Sequence, residues 1–136
     1  MNINYSTIQT FTAEQLQSLF LSVGWSSGKY PDKLVTAMAN SGSVFSAWDD
    51  KRLVGLINIL DDGIMTAYAH FLLVSPEYQG KGIGKELIRL VKEKYSDYLR
   101  VLLISDEKET KFYENSGFQI GERCVPMFIN KISLDT

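Results

Sequence analysis

Val74-Ser75-Pro76-Glu77-Tyr78-Gln79-Gly80-Lys81-Gly82-Ile83-Gly84 joins an apolar run, Ala69 to Val74, to a helical pattern that begins near Gly84. Its three glycines leave backbone N–H groups uncovered by side chains. A helix start adds unpaired N–H donors and a partial positive charge. Together these make a seat for a phosphate or pyrophosphate. The spacing narrows the choice. A dinucleotide fingerprint needs glycines at its first, third and sixth positions. Counted from Gly80 the sixth position is Lys85, and from Gly82 it is Leu87. A P-loop needs a second glycine where this chain has Lys85. The pattern that survives is Gln79-x-x-Gly82-x-Gly84.

That pattern resembles the coenzyme A pyrophosphate loop of the Gcn5-related N-acetyltransferases (GNAT), which use acetyl-CoA. A second element, Phe112-Tyr113-Glu114-Asn115-Ser116-Gly117-Phe118, is similar to the place where that family ends a helix and enters its next strand. The two elements occur in the family's order and cover roughly the second half of the chain. The resemblance implies an α+β fold: a mixed, mostly antiparallel sheet, helices on both faces, and a central parallel strand pair that splays to admit the cofactor. It implies that Leu72 and Val74 offer backbone contacts to the pantetheine arm. Gln79, Gly80, Lys81, Gly82, Ile83 and Gly84 would surround the pyrophosphate, mainly through backbone donors. It also implies that Tyr113 is the general acid that protonates the departing thiolate. Read without the resemblance, the glycines make a tight turn and Tyr113 is a core aromatic.

Two positions depart from the family pattern. Many relatives carry Asp or Glu as a base three residues before the position of Val74, where this chain has Phe71. His70, the only histidine, is adjacent, but strand alternation turns it to the opposite side unless a β-bulge re-aims it. Deprotonation through ordered water is the alternative. Asp106 stands where the family often has Asn, and reads as a helix cap with Glu109 in the capping-box position. Trp25, Tyr30, Tyr68 and His70 are candidates for the acceptor pocket, set against ordinary core roles.

The chain has 136 residues, 45% hydrophobic and 22% charged. That suits one acetyltransferase domain over residues 1–136 with a real core. A net charge of −2 gives no general attraction to nucleic acid. Lys81, Lys85 and Arg89 form a local basic patch, either a phosphate attractor or a solvated helix face. A lone cysteine, Cys124, forms no intrachain disulfide and reads as a plain thiol. No secretory signal or membrane-length apolar run is seen, and no metal site is expected, so a cytoplasmic protein is expected.

Thr12 reads as an N-cap with Gln15 in its capping box, opening a helix that Gly24 ends. Trp25 to Lys29 reads as a loop, and Pro31 opens a second helix that stops at Asn40-Ser41-Gly42. Ser43–Trp48 and Leu53–Leu60 read as an antiparallel pair, and Asp61-Asp62-Gly63 as a hairpin turn into the central strand, Met65–Val74. Gly84–Tyr95 is a helix, and Leu99–Ile104 a strand parallel to the central one. Asp106–Asn115 is the last helix. Phe118–Ile120 and Met127–Ile132 read as closing antiparallel strands, which could pair across a homodimer. The function expected is transfer of an acetyl group from acetyl-CoA to a primary amine of a small molecule or peptide. The alternatives are a non-catalytic acyl-CoA-binding module, fed by Phe71, and a nucleotide-binding regulatory domain, disfavoured by the failed loop spacings.

Overall fold

The computed structural model describes residues 2–132. The chain runs β1 (Ile3–Ser6), α1 (Ala13–Ser22), a 3₁₀ turn (Ser26–Lys29), α2 (Pro31–Asn40), β2 (Ser43–Asp49), β3 (Arg52–Asp61) and β4 (Thr66–Val74). A 3₁₀ turn (Pro76–Tyr78), α3 (Ile83–Lys94), β5 (Arg100–Leu103), a 3₁₀ turn (Glu107–Glu109) and α4 (Thr110–Asn115) follow. Local chemistry accounts for the starts and stops. The Thr12 hydroxyl accepts from Gln15 N–H at 3.1 Å, and Thr12 N–H donates back to Gln15 Oε1 at 2.9 Å. This closes the capping box that starts α1. Pro31 supplies the first position of α2, where its missing N–H costs nothing. At the far end of α2, Gln9 Nε2 donates to Met38 O at 3.0 Å and Ser41 O at 2.8 Å, satisfying carbonyls the helix leaves open.

The five strands lie in sequence order, β1 to β4 antiparallel and β4–β5 parallel. Helices cover both faces. On one, Leu16, Leu19 and Phe20 of α1 and Leu34 and Met38 of α2 pack on Leu56, Phe71 and Leu73. On the other, Ile83, Leu87, Ile88 and Val91 of α3 pack on Ile57, Ile59, Ala67 and Ala69. The Asp61–Gly63 turn is built by its aspartates. Asp62 Oδ1 accepts from the N–H groups of Ile64, Met65 and Thr66, and these bonds hold its carboxyl below the ordinary carboxylate pKa. No helix among the described residues is long and apolar enough to cross a membrane.

The feature that shapes the site is a bulge in β4. Asn58 pairs with Phe71, but the next residue of β3, Ile59, pairs with Ala69, so His70 is the extra residue. The strand changes facing there. Ala67 and Ala69 lie under α3, whereas Phe71 and Leu73 lie against α1 and α2. A bulge leaves a ladder N–H without its usual partner, and a side chain supplies one. Asn58 Oδ1 accepts from Phe71 N–H at 2.9 Å. Asn58 Nδ2 donates to Ser41 Oγ at 3.2 Å, which in turn donates to Ala37 O at 2.8 Å. The parallel ladder runs from Thr66–Arg100 to Ala69–Leu103 and stops where the bulge begins. Beyond it β4 continues for His70 to Val74 with no strand beside it on that edge among the described residues.

Two sequence readings need correction here. Phe118–Ile120 and Met127–Ile132 form no strands. Apolar residues alone do not make a ladder. Pro126 cannot donate, Arg123 turns the chain at φ 62°, and the four-residue β5 gives little edge to pair with. The last helix is also not continuous from Asp106: a 3₁₀ turn precedes the six-residue α4. Asp106 does cap, its Oδ1 accepting from Lys108 N–H at 2.8 Å.

Candidate active site

The divergence of β4 from β5 opens a cleft of about 950 Å³. The exposed margin of β4 forms its floor. Ser75 N–H donates to Val54 O at 2.8 Å, toward β3. Backbone groups alternate sides along a strand, so those of Leu72 and Val74 point the other way, onto the open edge. Both residues line the cleft. Gln79 also lines it, and its Nε2 donates to Val74 O at 2.9 Å, closing the loop back on the strand end.

The loop is pinned from outside. The Tyr78 hydroxyl donates to Asp49 Oδ2, and Arg52 pairs with Glu77 at 3.2 Å while lying 5.3 Å over the Tyr78 ring. The β2–β3 turn therefore holds the 3₁₀ turn in place and sets where the glycines fall. Gly80 and Gly82 have φ of 75° and 86°, in the left-handed region where side chains are strained. Gly82 is the N-cap of α3 and brings no side chain to satisfy its first turn. The first N–H groups of α3 are thus free for a ligand. A Cβ at Gly82 would meet nothing within 4 Å, so the space above the helix end is open. Gly84 serves a different need: a Cβ there would stand 3.3 Å from Phe112 Cζ, so its absence lets α4 approach α3. Gly80, Gly82, Ile83, Gly84 and Lys85 all line the cleft. The basic patch divides. Lys85 lines the cleft, Lys81 does not, and Arg89 is taken up by Glu86 at 2.8 Å and Glu93 at 2.9 Å.

Across from β4 stand β5 and α4. Tyr113 lines the cleft between Phe112 and Phe118, with ring centroids 5.1 Å and 6.0 Å away. Burial, with a smaller push from the Glu109 carboxylate, raises its phenol to about 12. Its hydroxyl has no hydrogen-bond partner among the described residues. His70 lines the same cleft, its ring stacked on Phe71 at 3.9 Å and 5.5 Å from Tyr68. The bulge has brought His70 onto the face that alternation alone would have denied it relative to Phe71. Its surroundings favour the neutral ring and hold its pKa below the ordinary value. Phe71, at the family's base position, is buried in the two-helix core.

Trp25 and Tyr68 line the cleft, while Tyr30 is 43% exposed at the start of α2 and does not. Sequence reading missed Asn58, which is 1% exposed and holds the bulge. Its signal was visible as a lone amide inside the apolar run Leu53–Leu60. Replacing Asn58 with Leu orphans the Phe71 N–H and is expected to destabilise the fold by about 1–3 kcal/mol. It should also move the His70 titration toward its ordinary value. Urea denaturation and NMR of the His70 ring check the two effects separately.

Known proteins bear on this arrangement. Residues 8–127 match the family model described as an acetyltransferase (GNAT) domain. A ycf52-like N-acetyltransferase of Prochlorococcus marinus is 32% identical over 93% of this chain and 74% of its own length. A histone acetyltransferase of Glycine max is 33% identical over 76% of this chain, which spans half the length of that protein. A GNAT-family acetyltransferase structure from Streptococcus pneumoniae superposes with a TM-score of 0.82 and 29% identity, covering 96% of this chain and 100% of that one. The chain belongs to the GNAT acetyltransferase family. The α+β expectation and the splayed parallel pair are borne out.

Proposed function

We propose that this protein transfers an acetyl group from acetyl-CoA to a primary amine. The observation that carries the reading is that unpaired donors at the Gly82 helix start, the open edge of β4 and Tyr113 share one cleft. Acetyl-CoA fits that arrangement as a substrate. The diphosphate takes the first N–H groups of α3 and the charge of Lys85. The pantetheine amides take the open edge at Leu72 and Val74, as an added strand would. The thioester then lies near the bulge.

His70 is the base in this reading. It removes one proton as the amine nitrogen attacks the thioester carbon. The C–N bond forms, the C–S bond breaks, and Tyr113 donates to the departing sulfur. Solvent returns the proton from His70 to Tyr113, leaving an acetamide and free CoA. Because its surroundings lower its pKa, His70 stays unprotonated at neutral pH. The amine arrives neutral, its own proton left to solvent, so the rate referred to the neutral amine should fall only as pH drops below about 6.5, the ordinary histidine value. A His70→Gln enzyme should lose that acid limb, as kcat/KM against pH would show.

The direct test is calorimetric titration with CoA, followed by thiol release from acetyl-CoA with an amine panel. Binding with turnover supports the reading. Folded protein with no affinity for CoA overturns it.

A further inference from the structure

We infer that the acceptor is a primary amine joined to an aromatic ring by a short alkyl chain, and that Trp25 and Tyr68 form the wall that selects it. The inference rests on the acetyl-CoA reading above and deepens it. The glycine loop fixes the phosphate end of the cleft beyond Val74. Moving back along β4, the bound arm passes Val74 and Leu72 and reaches the bulge at His70. That is a span of about 13 Å at roughly 3.3 Å per residue. The acceptor has to approach at that end of the span, where Tyr68 stands beside His70 and Trp25 packs on Phe71.

That end of the cleft is aromatic. Tyr68 lies 5.5 Å from His70 with the rings 29° apart, His70 lies on Phe71, and Trp25 lies 6.1 Å from Phe71. Trp25 is held in turn by an edge contact with Phe20 at 6.0 Å. Trp25 and Tyr68 are both half-buried, so part of each surface remains open to a ligand. The Tyr68 hydroxyl has no hydrogen-bond partner among the described residues, and burial raises its pKa.

Charge is placed elsewhere. Among the described residues, the charged side chains lining the cleft are Lys85, Asp106, Lys108 and Glu109, all from the start of α3 or the β5–α4 segment. None comes from α1, the Ser26–Lys29 turn or β4. A polyamine or aminoglycoside brings several ammonium groups, which need carboxylates to offset their desolvation. A sugar phosphate needs cations. The β4 wall supplies neither. It offers flat faces on which one aromatic ring stacks, while a single amine nitrogen reaches the thioester beside neutral His70. The bond changes are those already given, with the ring remaining unreacted on the wall.

The test compares acceptors with the full chain and saturating acetyl-CoA, following thiol release. 2-Phenylethylamine and tryptamine should show kcat/KM at least about tenfold above butylamine, spermidine and glucosamine 6-phosphate, in line with aromatic contact energies. Trp25→Ala should reduce the phenylethylamine-to-butylamine ratio by about tenfold. Trp25 also packs on Phe20, so Tyr68→Leu is the companion variant and should reduce the same ratio. Preference for butylamine, spermidine, the sugar phosphate or a short peptide overturns the inference. An unchanged ratio in a folded Tyr68→Leu enzyme overturns it too. These failures differ from absence of CoA binding, which removes the underlying reading instead.

Discussion

Tyr113→Phe should lower kcat for acetyl transfer by about 10²–10⁴-fold, the usual worth of a positioned general acid. CoA affinity should hardly change. The ring is fixed by edge contacts with Phe112 and Phe118, and a phenylalanine keeps both. Only the hydroxyl is lost. With its phenol raised to about 12, Tyr113 is fully protonated at neutral pH and available as a donor. The same apolar surroundings raise a thiol, which narrows the gap between donor and departing sulfur. Thiol release gives kcat and calorimetry gives the CoA Kd. A variant that binds CoA normally and retains wild-type kcat would remove Tyr113 from the mechanism.

Gly82→Val should weaken CoA binding by about 10²-fold or more. Two effects combine. Gly82 has φ 86°, and left-handed backbone costs an ordinary side chain roughly 1–2 kcal/mol, with β-branched residues the worst placed. The added side chain also stands over the free N–H groups at the start of α3. Losing two hydrogen bonds to a charged ligand costs about 1.5–3 kcal/mol each. Gly82→Asn, which tolerates the left-handed region, should fall between wild type and valine. Circular dichroism would confirm that α3 persists while calorimetry reads the affinity. Unaltered affinity in a folded Gly82→Val protein would contradict the assigned phosphate seat.

What could be read from the sequence was chemistry decided within a few residues. Thr12 and Gln15 announce a capping box, Pro31 a helix start, Asp61-Asp62-Gly63 a turn, and each is built as expected. The Gln79–Gly84 loop was legible because its glycines have no other common spacing to satisfy. The facing of His70 was not legible. It depends on Asn58, thirteen residues from Phe71 and on another strand, accepting one backbone proton. No local pattern in β4 reveals that bond. Nor could the C-terminal segment be read, since Met127–Ile132 is rich in strand-forming apolar residues yet a ladder needs a partner edge. Asp106 was half legible. Its capping role is there, but the turn it caps is 3₁₀. Tyr30 stood by an expected helix start, and the way α2 packs leaves it outside the cleft.

The single extra residue in β4 makes that strand intolerant of length change. Ala67 and Ala69 are small because α3 presses on them, at 0% and 5% exposure. Excising His70 would restore regular alternation, with Asn58 opposite Phe71 and Ile59 opposite Ala69, so the alanines would stay under α3 and Phe71 against α1 while the bulge and its histidine disappear. Homologous chains that keep this catalytic geometry should therefore keep the residue count of β4, with small side chains at Ala67 and Ala69 and the histidine at the extra position.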